Sequence, residues 1–152
     1  MGSPRRELKD GSQVVEWLHE WGRLLKSEGL VILIGSGSLL WHAHEKDIHK
    51  PLPENSMDVD AITESDEVAA LGYNALIGSE FELKHGWHVN LMPKSVLKEM
   101  PQNWENRAQR KKYGKLTVMI PSAEDLMVPK LKRGEPRDCK HAEWARQAGL
   151  LK

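Results

Sequence analysis

Asp58 and Asp60 flank a single valine in the run Asp58-Val59-Asp60-Ala61. On a strand, side chains two apart point to the same face. Two carboxylates on one face repel each other unless a cation sits between them. Magnesium suits such a pair, because it takes one or two carboxylates together with phosphate oxygens. Val59 and Ala61 turn the other way, into a core. Upstream, Gly35-Ser36-Gly37-Ser38 follows the apolar run 30–34. Backbone N–H groups at such a strand-to-helix turn receive phosphate. Gly35 lacks the Cβ that would block a close approach, and Ser36 or Ser38 offers a hydroxyl. Together the two motifs describe a triphosphate cradle facing a metal site, and phosphoryl chemistry needs both.

The elements that must carry these residues follow from periodicity and punctuation. Residues 12–27 place Val14, Trp17, Leu18, Trp21 and Leu25 at helical spacing, and Gly29 stops that helix. Residues 30–34 read as a buried strand, 35–38 as a turn and 39–44 as a helix start. Pro51 and Pro53 mark 45–57 as a loop before the strand 58–63. Ser65 caps a helix running to about 77. Residues 81–84 and 87–92 read as a hairpin about His85-Gly86. In that register Asn90 shares a face with His88 and Met92, and Glu80 and Glu82 point away from it. Residues 93–114 read as polar and irregular, with a helical turn near 96–100. A strand at 116–120, a helix capped by Ser122 and a last helix from 137 to 147 complete the order. The expected fold is an α/β (α+β) sandwich, a mixed central sheet with helices mainly on one side. One domain is expected over 1–152, with about the first ten residues outside the fold.

Net charge is zero, with 22 basic and 22 acidic residues, which excludes a strongly basic scaffold. Residues 1–105 hold 10 Lys/Arg against 17 Asp/Glu, and residues 106–152 hold 12 against 5. Such an asymmetry suits a site that binds cations on one side and a polyanion on the other, or two halves that attract each other. The single cysteine, Cys139, excludes an internal disulfide and reads as a buried thiol. The absence of a long apolar run or a signal-like start leads to an expectation of a cytoplasmic protein without membrane contact.

The run Ile34-Gly35-Ser36, followed by Asp58-Val59-Asp60-Ala61, resembles the signature of the polymerase-beta-type nucleotidyltransferase superfamily. Residues 116–133 and Pro136-Arg137-Asp138 resemble the bacterial branch of AbiEii-type toxins and DUF6036-like proteins. There a strand leads into a helix bearing a lysine, and a basic-Asp pair opens the next helix. The resemblance spans roughly residues 30–148. It implies a nucleotidyltransferase fold and transfer of a nucleoside monophosphate from an NTP to tRNA or a protein, in a toxin–antitoxin or phage-defence setting. By that likeness Asp58 and Asp60 hold Mg2+ (or Mn2+), and Gly35, Ser36 and Ser38 bind the triphosphate. Lys130 contacts phosphate, and Asp138 orients or activates a group. A cognate antitoxin or target protein is the implied protein partner.

The sequence also departs from that pattern. Superfamily members often carry a third carboxylate on a neighbouring strand, where Asn90 stands here. Its amide oxygen can ligate a metal but cannot take a proton; His88, on the same face, is the candidate base. The alternative is a catalytically inactive domain of the same fold that binds nucleotide, RNA or a partner protein. The gap between Ser36 and Asp58 makes 45–57 an insertion. Arg107, Arg110, Lys111 and Lys112, with Trp104 and Tyr113 nearby, suit stacked single-stranded RNA or a solvated loop. Arg133 and Arg137 extend the basic surface. His42 and His44 do not share a helix face. With His49, Glu45 and the lone cysteine they do not complete a four-ligand zinc site.

Overall fold

The computed structural model describes residues 8–52 and 58–151. Its first helix, α1 (Gly11–Leu24), begins at a capping box: Asp10 accepts from the Ser12 amide and the Gln13 side chain accepts from the Asp10 amide. Leu8 is fully buried. The fold therefore begins before residue 10, because the cap and the Leu8 anchor are part of it. Strand β1 (Gly29–Ile34) leads directly into α2 (Gly35–Glu45). The helix thus starts at Gly35, where a turn was expected.

Strand β2 (Asp58–Ile62), α3 (Asp66–Tyr73), α4 (Glu80–His85) and β3 (His88–Leu91) follow. The expected hairpin is absent. Residues 80–85 are helical because Ser79 caps them, its Oγ accepting from the Glu82 amide at 3.2 Å, and because Gly86 at φ 84° ends the helix. A helix between β2 and β3 lets those strands run parallel, Asp58 beside His88 and Asp60 beside Asn90.

A 3-10 segment, Lys94–Glu99, and the short α5 (Trp104–Arg107) precede β4 (Gln109–Tyr113) and β5 (Leu116–Ile120). Strand β4 occupies what reads as an irregular basic stretch. It pairs antiparallel with β5 across a two-residue connection, Gly114-Lys115. Four of its five residues are exposed, so no apolar alternation announces it. The chain ends with α6 (Ala123–Arg133) and α7 (Pro136–Gln147).

The sheet order is β3-β2-β1-β5-β4, with β1–β5 and β2–β3 parallel and β1–β2 and β4–β5 antiparallel. This is the expected mixed α/β architecture. One face of the sheet presents Val31, Leu33, Val59, Ala61 and Val89, all buried, and α2 lies close against it at Gly37 and Val59. Trp17, Trp21 and Trp41 sit in the same core. The opposite face carries Leu30, Ile32, Asp58, Asp60 and Asn90, which are half-buried or exposed. Among the described residues no helix is long and apolar enough to cross a membrane.

Candidate active site

Register places the two motifs against each other. Strands β1 and β2 pair so that Ile34 lies beside Asp60, and the next residue, Gly35, opens α2. Gly35 has φ 74°, and a Cβ there would stand 2.9 Å from Asp60 Oδ2. The glycine is needed twice, for the left-handed backbone and for the approach of the carboxylate. Ile34, at the N-cap position, provides no side-chain acceptor for the first N–H groups of α2. A helix start in that state favours a bound anion.

A cavity of about 310 Å³ joins Gly35, Ser36, Asp58, Asp60 and Asn90 on one wall to Lys130, Arg133, Arg137 and Asp138 on the other, with Met92 and Glu135 between them. Burial and the neighbouring Asp58 raise the Asp60 pKa above the ordinary aspartate value, against an opposing pull from Asn90, Lys130 and Arg133. Lys130 is 5% exposed, and burial depresses its pKa despite the nearby Asp138. Its Nζ lies 3.7 Å from Asp138 Oδ1 and 3.2 Å from His141 Nδ1. Arg133 donates to the same Asp138 oxygen at 2.9 Å. The acidic strand thus faces a buried lysine held by an aspartate and a histidine.

The other sequence candidates divide. Asn90 donates its amide to Asp60 Oδ1 at 3.1 Å and to Met92 Sδ at 3.3 Å, so it supports the carboxylate. His88 shares the strand face but does not line the cavity, and its Nδ1 lies 2.8 Å from Glu82 Oε2. The expected hairpin pointed Glu82 away from that face; the helix α4 brings it to His88. Ser38 is fully buried and gives its hydroxyl to the Gly35 carbonyl at 2.6 Å, so it stabilises the helix start and does not face the cavity.

The basic stretch is a paired edge strand. Arg107 makes a two-pronged contact with Asp125 and also donates to the Gln102 carbonyl. Lys111 bonds Glu45, Lys112 bonds Glu28, and Arg110 is exposed. Trp104 and Tyr113 are buried, and Tyr113 Oη accepts from Trp41 Nε1 at 2.9 Å. Neither ring can stack on RNA. Cys139 is exposed on α7 and is not the buried thiol expected. His42 is buried, its Nε2 2.7 Å from the Pro121 carbonyl, where it pins α2 to the start of α6.

Two features escaped the sequence reading. His141 lies three residues beyond Asp138 on α7, a spacing that puts both on one helix face and could have marked it. A smaller apolar cavity of about 100 Å³ shares Gly35, Asp60, Met92, Lys130 and Arg133 with the main one, and Leu97, Met100 and Leu126 help to line it.

A family model described as "Nucleotidyltransferase of unknown function (DUF6036)" matches residues 13–151. The chain belongs to that family. The match takes in β2, α2, α6 and α7, the elements that carry the cavity. No curated protein and no solved structure matches the chain.

Proposed function

We propose that the cavity binds an NTP with Mg2+ (or Mn2+) and transfers a nucleoside monophosphate to a hydroxyl group on tRNA, another RNA or a protein. The observation that carries this reading is the convergence of Asp58, Asp60, the start of α2 and buried Lys130 on one cavity. In this reading Gly35 and Ser36 hold phosphate oxygens through the helix N-terminus. Lys130 balances phosphate charge, and Asp138 with His141 positions Lys130. The small apolar cavity has the lining a nucleobase or sugar face needs.

The donor set fits magnesium. Asp58 and Asp60 supply oxygen ligands only, and a dication would offset the burial and the Asp58 repulsion that raise the Asp60 pKa. When bound, the ion neutralises charge on the phosphate oxygens around the attacked phosphorus. The acceptor oxygen forms a bond to the α-phosphorus. The bond from that phosphorus to the bridging oxygen breaks, and pyrophosphate leaves with the electron pair. The hydroxyl proton passes to a carboxylate of the lining or through it to water; Asn90 cannot take it, and His88 stands beside Glu82 outside the lining. A toxin role with a cognate antitoxin as protein partner is part of this reading and rests on the resemblance of residues 116–133 and Pro136-Arg137-Asp138 to AbiEii-type proteins alone.

A second reading has its own observation. Asn90, in register with Asp60, leaves the sheet without a third carboxylate, which favours a domain that binds nucleotide without turnover. Incubation with each labelled NTP, magnesium, total tRNA and cell lysate separates the two. Label transfer that disappears in Asp58→Ala supports the transferase. Tight nucleotide binding without transfer to any acceptor supports the binding domain.

A further inference from the structure

A second group of metal-binding side chains lies at the far end of α2. His44 is nine residues beyond Gly35, about 14 Å along the helix axis at 1.5 Å per residue. One ligand atom from each of Asp10, His44 and His49 lies within 4.8 Å of the other two. The three come from the cap of α1, the last turn of α2 and the segment after it.

We propose that Asp10, His44 and His49 form a binding site for a zinc-type transition-metal dication, separate from the Asp58/Asp60 pair.

Three observations converge on it. His44 Nδ1 is buried and has no hydrogen-bond partner among the described residues. An imidazole nitrogen in that state lacks the compensation that buried polar atoms normally have. His49 Nδ1 stands 3.2 Å from Asp10 Oδ2. A tetrahedral site with bonds of about 2.0–2.1 Å sets neighbouring ligand atoms about 3.3 Å apart. The other nitrogen of His49, Nε2, lies 2.9 Å from Asp47 Oδ1. A carboxylate on the far nitrogen is the outer-shell arrangement that fixes the tautomer of a metal-binding histidine. Without metal, the two carboxylates favour the protonated ring and raise the His49 pKa; an ion between Asp10 and His49 would displace the Nδ1 proton, while Asp47 would keep the one on Nε2.

The scaffold beneath the group is close-packed. A Cβ on Gly11 would stand 2.1 Å from the Leu40 carbonyl oxygen and 2.6 Å from His44 Cβ, so α1 and α2 meet with no gap beside Asp10. Two imidazoles and one carboxylate select zinc-type ions over magnesium. Three protein ligands leave a fourth position for water or an external ligand. A bound ion would tie α1, α2 and the segment 46–49 together, on the chain path that leads to β2. The histidines alone do not reveal the site, because its third ligand is the N-cap of α1, far earlier in the chain.

The test is zinc titration of the full chain against a competing chelator, repeated with cobalt to read visible absorption bands. One tight zinc per chain is expected, with nitrogen-ligated cobalt bands. It should persist in Asp58→Asn/Asp60→Asn and weaken at least ~10-fold in His44→Ala and in His49→Gln. Because His49 is exposed, His49→Gln keeps the test valid if His44→Ala fails to fold. Zinc binding that both histidine variants retain, or that disappears only with the aspartates, overturns the proposal, as does the absence of tight zinc.

Discussion

In the cavity, Asp60 and Lys130 are held where burial works against their charges; along β4, the lysines stand in solvent beside acids. Asp60 is pushed towards its protonated form and Lys130 towards its neutral one. Along β4 the Glu45 partner favours the charged form of Lys111 and raises its pKa, and Lys112 pairs with Glu28. Charged residues on an edge strand also discourage pairing with another sheet. Both regions are rich in charge, but only one holds charges its own surroundings disfavour. Such sites are where ligands and chemistry are found. The comparison therefore separates a surface that solvates the protein from a cavity whose burial disfavours the charges it holds.

The largest effect should come from the acidic strand. Asp58→Ala or Asp60→Ala should lower nucleotidyl transfer by more than ~100-fold, read as kcat/KM with saturating magnesium. Retained transfer would remove the pair from the chemistry. Lys130→Met should come next, with a loss of about 10–100-fold in kcat/KM, because a buried cation facing the phosphates is replaced by an apolar chain.

Asp60→Asn should separate stability from activity. The native carboxyl has a raised pKa, so the folded state binds its proton more tightly than the unfolded chain. That contribution is present at low pH and is lost as pH rises through the raised pKa. At neutral pH without metal, Asp60→Asn should therefore melt higher by about 2–4 °C. The advantage should shrink as pH falls into the ordinary aspartate range, a trend that thermal scans across pH would read. The smallest effect belongs to the edge strand. Lys112→Ala should change stability by less than about 1 kcal/mol in chemical denaturation and leave transfer unchanged. A large loss of transfer there would erase the contrast.

How far the sequence led can be argued residue by residue. The shared face of Asp58 and Asp60 and the end of β1 at Gly35 were legible because a period of two and a buried apolar run leave little freedom; that Gly35 opens α2 with no turn between was not. The parallel β2–β3 pairing was not, because residues 81–84 suit strand or helix, and Ser79 and Gly86 decide between them. Strand β4 hid because it is charged and exposed at a sheet edge. Asp10 beside His44 depends on the close approach of α1 and α2 at Gly11, a long-range contact that no local pattern encodes.

The central claim is that Asp58, Asp60 and the start of α2 form one metal–nucleotide pocket. Paramagnetic broadening of backbone amide signals by Mn2+, with and without a non-hydrolysable NTP analogue, tests it most directly. The account predicts nucleotide-enhanced broadening centred on Gly35, Ser36, Asp60 and Asn90, abolished in Asp58→Asn/Asp60→Asn. Broadening that ignores the nucleotide, or centres away from these residues, would contradict it.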